Sequence, residues 1–201
     1  MNKNAFSISG HKFTLKNIQT CDFMSDETVC FQADLYCDGK FLCTCENDGH
    51  GGATFTHCTP ETRDRYYTIL DEVSKEIWLK CNNGHLIYYD FGTIADEVLS
   101  LISLNKEVAK LQKDALVMQR PKDYDGYDPY LYTRKIGTIK LFVQDAPGSL
   151  AKKIAEAQDD GWEVLNTNIP ESIYEAAKEW RLPTDVKGRN AWRFPCNSEK
   201  K

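Results

Sequence analysis

The chain has 201 residues, 41% hydrophobic and 27% charged, with a formal net charge of −5. These values lie near globular averages and exclude a disordered or fibrous protein. Its apolar runs are short and broken by charge, which excludes a spanning helix and predicts no membrane association.

The charge is unevenly spread. Residues 1–90 carry 8 Lys and Arg against 13 Asp and Glu, whereas residues 91–201 carry 17 of each. An acidic N-terminal half lacks the clustered cations that phosphate backbones need, so nucleic-acid binding there is not expected. Seven of the eight cysteines fall within the first 81 residues. The first ten residues have no apolar stretch of signal-peptide type, so a cytoplasmic location and reduced thiols are expected.

In chain order, 13–18 alternates as a first strand. Asp38-Gly39 is a strong two-residue hairpin signal between 30–37 and 40–45. A two-residue turn predicts the pairs Cys37–Lys40, Tyr36–Phe41 and Leu35–Leu42. One face then holds Phe31, Ala33, Leu35, Leu42 and Thr44, and the other holds Cys43 and Cys45. Thr59-Pro60-Glu61 reads as a helix start with Thr59 as N-cap. Tyr66, Ile69, Leu70, Val73 and Ile77 extend that helix over 60–80. Residues 85–89 form a short strand.

A long helix is expected over 93–120, ended by Pro121. Ile94, Leu101, Val108 and Ala115 repeat every seven residues, as do Leu104, Leu111 and Met118. Such a seam over 101–118 suits one partner helix, within the chain or in a homodimer. Residues 121–137 are a tyrosine-rich connector and the expected boundary between lobes. Beyond it, 138–143 reads as a strand, 149–158 as a helix capped by Ser149, and 162–165 as a strand. A helix over 170–180 and an edge strand over 190–194 follow. The expected fold class is α+β: an antiparallel hairpin sheet packed on helices (1–92), a long bridging helix and a small C-terminal αβ lobe (138–201).

The hairpin runs into Glu46-Asn-Asp-Gly-His-Gly-Gly52. Three glycines and several polar groups exceed what a plain turn needs, and glycine permits positive φ and close backbone approach. Asn47, Asp48, His50, Gly51 and Gly52 are therefore candidate binding residues, with Tyr127 and Tyr130 of the connector. Asp48, His50 and His57 are candidate ligands for a divalent metal, the only cofactor this sequence suggests, in a hydrolase or nuclease. The plain alternative is a hairpin exit whose Asn and Asp satisfy their own backbone. Cys43-Thr-Cys45 with His50, His57 and Cys58 is a further zinc reading, although it lacks a second Cys-x2-4-Cys pair. Cys58, beside His57 and before the expected helix start, is a candidate nucleophile. None of these motifs names a reaction.

Two resemblances follow from these residues. Phe31, Ala33, Leu35, Tyr36, Asp38, Gly39 and Lys40, with the loop Asn47–Gly52, resemble a group of small proteins encoded by bacteriophages and mobile elements. That resemblance implies a phage-type origin and a place in the host cytoplasm, and it brings no activity with it. The segment Leu141–Leu150 with Gly161–Leu165 resembles the opening of the ACT domain, which implies an amino-acid sensor with its site at the Pro147-Gly148 turn. The expected function is an interaction protein that binds a host or virion protein. The metal-dependent hydrolase or nuclease and the ACT-like sensor are the alternatives.

Overall fold

A computed structural model describes residues 4–80, 84–119 and 131–180. The chain divides into two compact units, residues 1–106 and 107–201. The fold is α+β.

The first unit is built on a five-stranded antiparallel meander in chain order. Its strands are β1 (Phe6–Ile8), β2 (His11–Thr20), β3 (Phe31–Cys37), β4 (Lys40–Asn47) and β5 (Phe55–His57). Helix α1 (Arg63–Val73), a two-stranded ribbon of β6 (Ile77–Lys80) and β7 (Leu86–Tyr88), and helix α2 (Phe91–Leu111) follow. One face of the meander packs on α1 and α2 through Phe13, Leu35, Leu42, Val73, Phe91, Ile94 and Val98.

Asp38 and Gly39 both hold positive φ, 51° and 79°, as a two-residue type I′ turn requires. The pairs Cys37–Lys40 and Tyr36–Phe41 form as expected. The next pair does not: Leu35 faces Cys43, because a bulge takes Leu42 out of the two-residue alternation. One extra residue moves every following side chain to the opposite face. Cys43 and Cys45 therefore lie on the core face with no exposure; Leu42 is buried as expected, and the expected face assignment is corrected from Cys43 onward.

Other local expectations also change. Thr62, not Thr59, precedes α1. Thr59 N–H donates to Thr62 Oγ1 at 3.1 Å, so residues 59–62 form a turn ahead of the helix. The helix stops at Val73, and Ile77 belongs to the ribbon. Asp90 caps α2, its carboxylate accepting Thr93 N–H at 2.7 Å.

Helix α2 ends at Leu111 rather than near 120. The carbonyl of Gln112 accepts Asn168 Nδ2 at 2.8 Å, and its side chain accepts Thr167 N–H at 2.7 Å. The chain then enters β8 (Ala115–Gln119), whose first four residues are all buried. A continuous apolar run marks a strand covered on both faces, not a helical seam. The seven-residue repeat through Ala115 and Met118 is thus not one helix face.

In the second unit β8 is central between β10 (Glu163–Val164) and β9 (Tyr132–Lys135). Since β8 and β9 pair within one unit, the division between units falls inside α2 and not at the 121–137 connector. Residues 138–143 are not a strand: Thr138 stands at the N-cap of helix α3 (Ile139–Asp145), which takes in the rest. Ile139, Phe142 and Val143 meet the core at helical spacing, while Leu141 is exposed. Pro147 is the first residue of α4 (Pro147–Asp159), so Ala146 and not Ser149 stands at the cap. Helix α5 (Glu171–Trp180) packs on α4 through Ile173 and Ala177. Buried Asn166 staples this core to β8: its Oδ1 accepts Val117 N–H and its Nδ2 donates to the Ala115 carbonyl. The expected edge strand 190–194 lies outside the described residues.

Candidate functional site

The glycine loop between β4 and β5 folds around Asn47, which is buried. Asn47 Oδ1 accepts Thr28 Oγ1–H at 2.8 Å and Gly49 N–H at 2.9 Å. Its Nδ2 donates to the Gly52 carbonyl at 3.0 Å and to Thr54 Oγ1 at 3.1 Å. Thr54 Oγ1 in turn donates to Asp96 of α2 at 2.7 Å. Burial holds the Asp96 carboxyl above the ordinary range.

The Gly49 carbonyl accepts three backbone N–H groups, from Asp26, Glu27 and Thr28. The loop is thereby tied to the 21–30 segment. Between them runs an open groove of about 580 Å³, lined by Cys21, Cys30, Phe31, Gln32, Asp48 and Phe55.

The expected metal ligands are not brought together. His50 Nδ1 pairs with Asp26 at 3.3 Å, and Asp48 accepts the His50 backbone N–H at 3.1 Å. His57 Nε2 pairs with Glu46 at 3.1 Å across β4 and β5. Both histidines are largely exposed and hold separate carboxylates. Cys43 and Cys45 lie in the core, where the bond with Cys43 and burial raise the Cys45 thiol far above its usual range. A shared zinc set with His50 and His57 is therefore not formed. Cys58 is half-buried against the core and four residues ahead of Thr62, away from a helix N-terminus. Gly51 and Gly52 lie at the exposed rim of the loop. Tyr127 and Tyr130 fall outside the described residues.

A different cluster forms at the far end of the hairpin. His11 opens β2, and the 38–39 turn brings Asp38 to it. His11 Nδ1 meets Asp38 Oδ2 at 2.8 Å, and its Nε2 meets Glu72 of α1 at 2.6 Å. Lys12 N–H donates to Asp38 Oδ1 at 2.9 Å, and the Cys37 thiol lies 3.4 Å from Asp38 Oδ2. Arg65 of α1 clamps the turn, donating to the carbonyls of Cys37 at 2.6 Å and Phe41 at 3.3 Å. Among the described residues, His11, Cys37 and Asp38 each place one ligand-competent atom within 4.8 Å of the others. Sequence reasoning missed this cluster, because 26 residues separate His11 from Cys37 and 34 separate Asp38 from Glu72. The one local hint was the turn that fixes Asp38.

The hydrogen bonds that His11 donates to Glu72 and Asp38 raise its pKa above the ordinary 6.5, and the bond accepted from His11 lowers Asp38 below its ordinary 3.8. Burial pushes the Cys37 thiol up to about 12. The histidinium contribution is present below pH 6.5 and lost as pH rises through the raised His11 pKa. The Asp38 contribution is present above pH 3.8 and lost as pH falls through its depressed pKa. Both carboxylates are about half exposed, so the His11 effect is expected to be about 1 kcal/mol or less. Denaturation midpoints measured with chelator present should fall between pH 6 and pH 9, and His11→Gln should flatten the fall. An unchanged slope in that variant would place the titrating group elsewhere.

No family model, curated protein or solved structure matches the chain. No helix among the described residues is long and apolar enough to cross a membrane.

Proposed function

We propose that the protein acts by binding another protein, of host or virion origin, and that the β6–β7 ribbon is the contact surface. The observation that supports this reading is the apolar surface of the ribbon. Ile77, Trp78, Leu79, Leu86, Ile87 and Tyr88 are each 38–55% exposed. A concentrated apolar surface of this kind marks interaction sites on monomeric proteins. A lone two-stranded ribbon is only marginally stable in water, so a bound partner would also stabilise it. The phage-type resemblance of the hairpin and loop supports the choice of partner.

The test is a photo-crosslinking residue at position 79, with position 67 on α1 as the control; Tyr67 is also well exposed. The expected result is a discrete crosslinked protein in host cells from position 79 alone. The double variant Trp78→Ser with Ile87→Asp should lose that crosslink. Its stability should fall by about 1–2 kcal/mol, since the replaced side chains are 43% and 38% exposed, and circular dichroism should show the rest of the unit still folded. Equal crosslinking from both positions, or none from position 79, would refute the proposal. A crosslink only to a second copy of the chain would also refute it in favour of self-association.

A further inference from the structure

The geometry points to a zinc site formed by His11, Cys37 and Asp38, with Glu72 as the positioning residue. The donor set is one imidazole nitrogen, one thiolate and one carboxylate oxygen. Nitrogen and sulfur ligands select zinc or a similar borderline ion over magnesium and calcium, which take oxygen.

Three features make this more than a surface ion pair. One ligand spacing already matches a tetrahedral site, and a second, now a hydrogen bond, is about 0.5 Å short of it. Ligand atoms at zinc bond lengths of about 2.0–2.3 Å lie roughly 3.3–3.8 Å apart. Cys37 Sγ and Asp38 Oδ2 are already 3.4 Å apart, and His11 Nδ1 is 2.8 Å from the same oxygen.

The outer contacts are also those of a metal centre. A metal-bound histidine ordinarily donates its other ring N–H to a carboxylate, which fixes ring orientation and tautomer. Here Nε2 faces Glu72 at 2.6 Å, leaving Nδ1 on the cluster side. The other oxygen of Asp38 is held by Lys12 N–H.

Finally, the hairpin backbone that carries two of the ligands is braced by Arg65, which donates to the Cys37 carbonyl. Zinc takes the place of the Cys37 thiol proton, and of the Nδ1 proton where His11 is charged, and each displaced proton passes to solvent. Three protein ligands leave a fourth position for water or for a donor from outside the cluster.

The experiment titrates the chelator-treated full chain, under reducing conditions, with Co²⁺ as the probe and then Zn²⁺ as competitor. The expected result is one equivalent of cobalt with a near-ultraviolet thiolate-to-cobalt charge-transfer band, bleached by zinc. His11→Gln and Asp38→Asn should each weaken binding at least tenfold. Glu72→Gln, which leaves all three ligands in place, should weaken it by about 10–100-fold. Cys37→Ser should remove the band. Because Cys37 is buried, His11→Gln serves as the variant whose fold is checked by circular dichroism. His50→Gln, at the glycine loop, should keep the full band. Absence of a band at saturating cobalt would overturn the site. A band that survives His11→Gln would also overturn it, by moving the thiolate to another cysteine.

Discussion

Gly49→Ala is expected to destabilise the first unit by about 2–4 kcal/mol, among the largest effects of any single methyl group in the loop. Gly49 holds φ at +88°, a region that costs an L-residue roughly 1–2 kcal/mol. A Cβ at this position would also run into the carbonyl of Met24 and approach Cys30 Cβ. The backbone cannot easily retreat, because the Gly49 carbonyl holds the N–H groups of Asp26, Glu27 and Thr28. Gly10→Ala is the control. Gly10 also has positive φ, +78°, but a Cβ there meets open space. Denaturant unfolding of the two variants separates the clash from the φ cost, and equal losses would show that the 21–30 segment yields freely.

Asn47→Ala is expected to cost about 2–4 kcal/mol, since each buried group left unpaired costs about 1–3 kcal/mol. Its side chain makes four hydrogen bonds, and no buried side-chain polar atom among the described residues lacks a partner. Alanine strands the buried Gly49 N–H and releases Thr54, whose hydroxyl joins the loop to Asp96. Hydrogen exchange at the Gly49 amide should accelerate sharply, while amides at the β2–β3 pairing stay protected. Retained protection at Gly49 would show that water replaces the amide side chain at little cost. The double variant with Gly49→Ala should be less destabilised than the two losses combined, because both changes release the same loop.

These expectations recast the glycine loop. Its residue types drew attention as a chemical site, and the geometry makes Asn47 and Gly49 structural. Glu46, Asn47 and Asp48 line the open groove together with the neighbouring Phe55, while Gly49, His50, Gly51 and Gly52 do not. The residue pattern did not distinguish the two roles, because Asn and Gly serve equally in a ligand loop and in a self-satisfied turn. The metal-type ligands were mispaired for a related reason. His50 and His57 sit near Asp48 in sequence, yet each side chain turns to a different carboxylate, Asp26 or Glu46.

The α+β class, the Asp38-Gly39 turn, the last two helices and the helix over Tyr66–Val73 were determined by the sequence itself. Each rests on interactions within a few residues, namely turn φ values, proline at a helix start and apolar spacing near 3.6. Three decisions belonged to the tertiary structure alone. The bulge at Leu42 placed Cys43 and Cys45 in the core, because packing of β4 on α1 and α2 outweighs strict alternation. Residues 115–118 became a strand because β9 pairs along all four and β10 joins at Met118, and no local period records that partnership. His11, Cys37, Asp38 and Glu72 meet because the meander folds back on α1, and contacts between such distant positions leave no trace in local spacing.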